Sequence, residues 1–485
     1  LIATLRPPRS LRVPIGVMVV LVSIAGGCAL WAGVTDLNAP VKGFLAIAFA
    51  LAAGALIYWR PVLFPFAAYL FMVPFDNLLQ TGAGTITKFL GMGSAIVVLL
   101  VLTDRRRAMT PPLAIFMWAA FLVWNVASYM WSEDPWFRTD MITQTAELFV
   151  LATIFSLLRV RFDELKILAT AVVAGGTACA IYGVWLFTHG TNIAKDSALS
   201  TRLAIKFGAN GPYINADHFS AALVFPIALA MVGALHLPGW KRFLAIGALL
   251  VMLTGIYVSA TRGSLVAVGA MCLYLLFTYR YRIRVLIVVG LGLLASAPFP
   301  SMWMRFFDPS QGNAGGRFPI WQIAWRAFTM HPIGGIGTGQ FKIAYEEAYL
   351  SVPPSIYSHR WMEDPHNLIA STAVELGIVG LLLILAAWWV QLRVGRCIPR
   401  SSRLFDLRIA VEAGTVGLFV NAMAVDLMFY KYLWITFMMA ILVRNAWLSA
   451  AVPAAAADTP GVAAAPRGWS ATPLGRRPVR VYASP

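Results

Sequence analysis

The chain has 485 residues, 59% of them hydrophobic and only 12% charged, with a formal net charge of +17. Soluble domains carry about 25% charged residues, so a soluble globular class is excluded. Long apolar runs broken by short polar patches, without the strict alternation of a membrane barrel, predict an all-α polytopic membrane protein with 12–14 transmembrane helices.

Six apolar runs, near 14–33, 41–58, 61–75, 86–102, 112–131 and 140–158, make residues 1–158 an N-terminal transmembrane scaffold. Pro61, Pro65 and Pro74 punctuate the third of them, because proline removes a helix donor. The loop from Trp131 to Trp136 sets two tryptophans at interface depth. Eight further runs follow within 159–449, near 166–188, 216–235, 242–260, 263–279, 285–298, 367–392, 408–427 and 432–449. Residues 450–485 are rich in Ala, Pro and Gly and predict a disordered cytoplasmic tail.

The positive charge is distributed as a membrane protein would distribute it. With the N-terminus in the cytoplasm, the clusters Arg6/Arg9/Arg12, Arg105–Arg107, Arg159/Arg161/Lys166, Lys241/Arg242, Arg280/Arg282/Arg284 and Arg393/Arg396/Arg400/Arg403 all lie inside. That is the bias that orients multi-pass proteins, and it argues against a nucleic-acid partner. Both termini are then cytoplasmic. Cys28, Cys179, Cys272 and Cys397 form neither a disulfide framework nor a paired metal-ligand spacing. The Ala25–Cys28 stretch is better read as small residues in a first membrane helix than as a lipoprotein cleavage box, since many spans follow.

Four outward segments carry unusual polar residues. The first, 188–215, holds Lys195, Arg202 and Lys206; a local helix would put Arg202 and Lys206 on one face. The next span opens Asn215-Ala-Asp217-His218, where capping is the plain role for such residues. The second is a tight hairpin, Ser259-Ala-Thr-Arg262-Gly263-Ser264, with Gly263 expected to permit the turn and close approach of a ligand.

The third is the long loop 299–365. Within it, an amphipathic helix is expected from near Pro319, with Gln322, Arg326 and Thr329 on one face. Trp321, Trp325 and Phe328 would lie along the membrane or over a site. The glycines of His331-Pro-Ile-Gly-Gly-Ile-Gly-Thr-Gly339 mimic a phosphate loop, but no Lys-Ser/Thr follows, and a turn is the better reading. The fourth segment runs from Pro365-His366-Asn367 straight into an apolar span, setting an imidazole where helix meets water.

Several arginines, one histidine and few carboxylates suit one chemistry: holding a diphosphate while a hydroxyl loses its proton. Guanidinium forks match phosphate oxygens, and imidazole takes a proton near neutral pH. On the outer face of a bacterial membrane, such a diphosphate would belong to a polyprenyl-linked glycan.

The pieces Arg202…Tyr213-Ile-Asn215-Ala-Asp-His218, Ser259-Ala-Thr-Arg262-Gly, Gly316-Arg317…Trp321…His331-Pro…Gly335-Ile-Gly337 and Pro365-His-Asn-Leu…Glu375-Leu-Gly-Ile-Val-Gly380 occur in this order. In them the chain resembles the O-antigen ligase and O-antigen polymerase superfamily of polytopic glycosyltransferases, over roughly residues 200–385. Asp217 departs from the family pattern, which often has a second asparagine there.

The resemblance implies a GT-C-like transferase in the bacterial inner membrane, needing neither cofactor nor metal, with a periplasmic active site. Its donor would be an undecaprenyl-diphosphate-linked glycan, and its acceptor lipid A core or a second lipid-linked glycan. Carried over by position, Arg202 and Arg262 would bind the diphosphate and His366 would be the general base. Arg317 and Lys206 would be further cations. Asn215, His218 and Asn367 would contact substrate or cap helices, and Glu375 and Trp321 would support the histidine helix. The alternative is a secondary transporter of an anionic solute. It would call for an inverted repeat and discontinuous helices, and no repeat is visible.

Overall fold

A computed structural model describes residues 64–78, 80–81, 84–104, 107–134, 139–189, 193–197, 200–203, 205–206, 213–296, 317–349 and 364–457. The runs expected near 14–33 and 41–58, and most of the tail, lie outside the described residues. The described part is a helical bundle, as its composition requires. In chain order its first helices are α1 (Phe64–Met72), α2 (Ile86–Leu102), α3 (Leu113–Ala127), α4 (Thr139–Ser156) and α5 (Phe162–Thr188). Then come α6 (Ala216–His236), α7 (Trp240–Ser259), α8 (Arg262–Thr278) and α9 (Arg282–Ser296). The long loop contributes α10 (Arg317–Met330) and α11 (Phe341–Tyr349), and the chain closes with α12 (Leu368–Arg393), α13 (Phe405–Ala422) and α14 (Lys431–Ala457).

Among the described residues, six helices are long and apolar enough to cross a bilayer, and two more, α2 and α8, are shorter apolar helices. The protein is therefore a multi-pass membrane protein. α6 is apolar on every side and is the axis of the bundle, packed by α5, α7, α8 and α13. Side-chain bulk is low where these helices meet: Gly176 of α5 faces Pro226, and Gly414 and Gly417 of α13 face Phe225 and Val224. Small residues let backbones approach where no hydrophobic effect drives helices together. A second aromatic layer, Trp118, Trp388, Trp434 and Phe437, joins α3, α12 and α14, with ring centroids 5.1–6.3 Å apart.

The bundle has two chemically distinct ends. At one, Arg280 of the α8–α9 turn pairs with buried Asp406 at 2.7 Å, and His236 approaches the same carboxylate at 3.2 Å. Arg408 and Tyr274 both hold Glu412 at 2.8 Å, and Asn445 donates to the Ser156 and Leu158 carbonyls. Arg159, Arg280, Arg284 and Arg403, from three of the basic clusters, are held here. The other end carries the hairpin, the long-loop helices and the start of α12.

Two local expectations change. Besides the short pair β1 (Gln80–Thr81) and β2 (Gly84–Thr85), β3 (Ile193–Ser197) pairs antiparallel with β4 (Ser200–Leu203), and β5 (Ile205–Lys206) with β6 (Tyr213–Ile214). Arg202 and Lys206 thus sit on two different strands rather than on one helix face. β-branched Ile193, Thr201, Ile205 and Ile214 favour that choice. The hairpin turn is made by Ala260 in the left-handed region (φ 52°), whereas Gly263 lies inside α8, where its missing side chain admits Ala424.

α12 is not one continuous helix. Gly377 has φ 65° and ψ −165°, a conformation essentially reserved for glycine. The backbone groups freed by the break are taken by the glycine loop. Ile336 and Gly337 donate to the Val374 and Glu375 carbonyls at 3.1 and 2.8 Å, and Ile378 donates to the Pro332 carbonyl at 2.8 Å. Trp124 Nε1 of α3 donates to the Leu376 carbonyl at 3.1 Å. Within a membrane protein each such group must find a partner, and here each partner is protein. The 331–340 loop is a turn, as expected, but its glycines serve close approach: a side chain at Gly335 would overlap the Glu375 backbone.

Candidate functional site

Helix N-termini converge at the end of the bundle away from the basic clusters. Asn215 caps α6, its side chain accepting from the Asp217 N–H at 3.2 Å. Thr261, just before α8, donates from Oγ1 to the Ala216 carbonyl at 3.3 Å, tying the starts of α6 and α8 together. Arg317, the first residue of α10, donates from Nη1 to the Ala424 carbonyl at 2.8 Å and lies 3.7 Å from Asp217. Trp321 Nε1 donates to the Pro365 carbonyl at 3.2 Å, joining α10 to the approach to α12. Asn367 caps α12, accepting from the Ile369 and Ala370 N–H groups at 2.9 and 3.2 Å. Four helices therefore direct their positive dipole ends to one region, which favours an anion there.

Between these caps is a cavity of about 180 Å³ lined by His218, His366, Asp364, Glu375, Asp426, Phe429 and Tyr430, among others. His366 holds φ 46°, uncommon for a residue with a side chain. Trp321 on one side and the Asn367 cap on the other fix the peptide units around it. Such a backbone persists only where its surroundings over-determine it, and it is characteristic of functional positions. Glu375 accepts from the Phe341 N–H at 3.3 Å, so it anchors α11 to α12 beside the cavity.

Of the sequence candidates, His218, His366 and Glu375 line one cavity, and Asn215, Arg317, Trp321 and Asn367 make the contacts that shape its surroundings. Asp217, which departs from the family pattern, faces Arg317, so its charge has a structural partner. Arg262 is absent from the cavity lining. Its chain neighbours touch the site's surroundings: Thr261 bonds the α6 start, and Gly263 lies against Ala424, whose carbonyl holds Arg317. β4, which carries Arg202, packs against α5 and α7, and β5, which carries Lys206, leads through β6 into the α6 cap. The side chains of Arg202 and Lys206 lie outside the described residues. The amphipathic α10 begins two residues before the expected Pro319 and buries Ile320, Ile323, Ala324 and Ala327, leaving Trp325, Arg326 and Thr329 exposed.

Sequence reasoning missed the loop between α13 and α14. Tyr430 Oη lies 2.9 Å from His218 Nε2, and Tyr432 Oη 3.4 Å from His218 Nδ1. Lys431 donates to Asp76 at 2.6 Å, to Thr85 at 2.9 Å and to Thr87 at 2.8 Å. This loop is thereby fastened to the start of α2 and the turn before it. A lysine between tyrosines at the mouth of an apolar helix was the available signal, since a charge there calls for a partner. Among the described residues no group of three His, Cys, Asp or Glu is placed to hold a metal ion.

Fold and site together define a multi-pass membrane protein with a polar cavity under converging helix N-termini. Residues 247–385 match the family model described as O-antigen ligase, the segment in which the sequence resembles that superfamily. No curated protein matches the chain. The matched segment runs from within α7 into α12 and includes Arg262, Arg317, Trp321, His366, Asn367 and Glu375.

Proposed function

We propose that the protein transfers a glycan from an undecaprenyl-diphosphate carrier to an acceptor hydroxyl at the periplasmic face of the bacterial inner membrane, without a metal or other cofactor. One observation supports this reading: side-chain contacts tie the N-termini of α6, α8, α10 and the approach to α12 together beside the His366 cavity, and Arg262 and Arg317 are the first residues of α8 and α10. Arg262 and Arg202, with Lys206, hold the diphosphate and stabilise the charge that grows on it as the sugar leaves. His366 takes the proton from the acceptor hydroxyl. Arg317, already committed to Ala424 and Asp217, anchors the long loop and contributes charge at second hand. The basic clusters at the opposite end support the periplasmic reading.

The break in α12 is the kind of discontinuous helix a transporter uses to coordinate an ion or solute. Here its freed backbone groups are paired with the glycine loop and Trp124, so the break organises protein and not cargo.

The test is glycan transfer in a deletion strain complemented with variants. His366→Ala should lower transfer by about 10²–10⁴-fold, the usual contribution of a positioned base, with the protein still inserted. Arg262→Ala should abolish transfer, and Arg262→Lys should fail to restore it, because an ammonium cannot make the forked phosphate contact. Full activity in either alanine variant removes that residue from the mechanism. Long chains left unattached on a gel identify a ligase; single repeat units on the acceptor identify a polymerase.

A further inference from the structure

Lys431, the first residue of α14, directly follows Tyr430 of the cavity lining. A lysine so placed could serve a phosphate, but its contacts leave it no donor for one. An ammonium has three donors. Asp76 takes one at 2.6 Å, Thr87 another at 2.8 Å and Thr85 the third at 2.9 Å. The acceptors also hold one another. Fully buried Thr87 donates to Asp76, and the Thr85 and Thr87 hydroxyls lie 2.9 Å apart. The ammonium is therefore moored, and its charge is met by Asp76.

The mooring lies in a part of the chain without any motif. Asp76 sits in a 3₁₀ turn, Val73–Leu78, that packs against α5, α6 and β6 as well as α14, and Thr85 caps α2. On the other side of Lys431 is the cavity wall. Both of its chain neighbours are tyrosines, and both reach one imidazole. Tyr430 Oη lies 2.9 Å from His218 Nε2 and Tyr432 Oη 3.4 Å from Nδ1, and Tyr430 stacks on the ring with centroids 4.2 Å apart. A neutral imidazole donates from one nitrogen and accepts at the other, and a hydroxyl can do either. Two hydroxyls so placed fix the ring plane and its pattern of hydrogen bonds. Where the ammonium is held thus decides where both hydroxyls stand.

We infer that Lys431 is a positioning residue: through Tyr430 and Tyr432 it holds the His218 ring in the cavity wall. It takes its bearing from Asp76, Thr85 and Thr87 of the N-terminal scaffold, which lie outside the matched segment 247–385. The scaffold then sets the geometry of the site as well as supporting it. The consequence for catalysis rests on the transferase reading; the consequence for the imidazole does not.

Diethyl pyrocarbonate labelling of the full chain in lipid nanodiscs, mapped by mass spectrometry, tests it, with exposed His331 as the internal reference. In the wild type His218 should label more slowly than His331. Lys431→Met should speed His218 labelling about tenfold, the scale of a lost hydrogen bond to a charged group, with His331 unchanged. Lys431→Met combined with Asp76→Asn leaves no unpaired carboxylate and should give the same gain; a gain confined to the single variant would overturn the anchor. Thr85→Val removes one contact of three and should give about threefold. It decides the question if Lys431→Met does not fold, which an equal rise at His331 would report. Tyr430→Phe added to Lys431→Met should raise labelling no further than the larger single effect, because coupled groups are not additive. Unchanged His218 labelling, or additive effects, would overturn the positioning role. Transfer per folded molecule should fall about tenfold in Lys431→Met. Unaltered transfer there overturns the role in catalysis, whereas a wild type without transfer sinks the transferase reading and leaves the labelling result standing.

Discussion

The two ends of the bundle use the same residue types for opposite purposes. At the basic end, His236 and Arg280 reach Asp406 at 3.2 and 2.7 Å, and Arg408 and Tyr274 both reach Glu412 at 2.8 Å. These charges are met by other side chains of the protein, so these groups fasten helix ends. At the site end, His366 and His218 line a cavity, and the helices that carry them point their N-termini toward it. Residue identity does not separate the two ends. What does is a cavity under helix N-termini at one end and mutual neutralisation at the other.

The contrast can be broken most severely at Gly377. Gly377→Ala forces a side chain into a glycine-only conformation, at about 1–3 kcal/mol, and against the Ile333 carbonyl as well. Folded protein should fall sharply in fluorescence size-exclusion profiles, and transfer should fall with it. A well-folded, active Gly377→Ala protein would show that the break is dispensable.

Next in size is Asp406→Asn, which should cost about 1–3 kcal/mol by removing a carboxylate held by Arg280. The melting temperature should drop while transfer per folded molecule stays within about twofold, since the charged hydrogen bond lost is only structural. If activity fell in proportion beyond stability, the two ends would be coupled.

Arg317→Lys sharpens the comparison at the site end. The charge remains, but the fork spanning the Ala424 carbonyl and Asp217 is lost, so transfer should fall about tenfold with insertion intact. The smallest effect belongs to Trp321→Phe, which deletes only the hydrogen bond to the Pro365 carbonyl. About 1 kcal/mol, or roughly fivefold in turnover without a change in acceptor KM, is expected from a loosened His366 backbone.

Much of this architecture was legible in the residues. Hydropathy located the spans that the structure describes, and the basic clusters marked which helix ends belong together, because both signals are local and additive. His366-Asn367 could be read as a cap entering an apolar helix, and Asn367 does cap α12. The break at Gly377 was not legible: Glu375-Leu-Gly-Ile-Val-Gly380 reads as continuous helix, and only pairing with a loop some 40 residues earlier makes the break tolerable. The Lys431–Asp76 contact joins residues 355 positions apart, and no local pattern announces such a partner. The four-residue spacing of Arg202 and Lys206 would matter only in a helix, and the β-branched residues around them favour the strands that form instead.

The division of α12 at Gly377 isolates the histidine from the bilayer mechanically. Residues 378–393 can tilt to accommodate a thicker or thinner membrane, as spanning helices do. The short piece carrying His366 is instead moored to α10 through Trp321 and to the glycine loop through Val374 and Glu375. The His366 backbone should thus hold its place over a range of lipid chain lengths in which a single rigid rod would drag the imidazole away from Trp321.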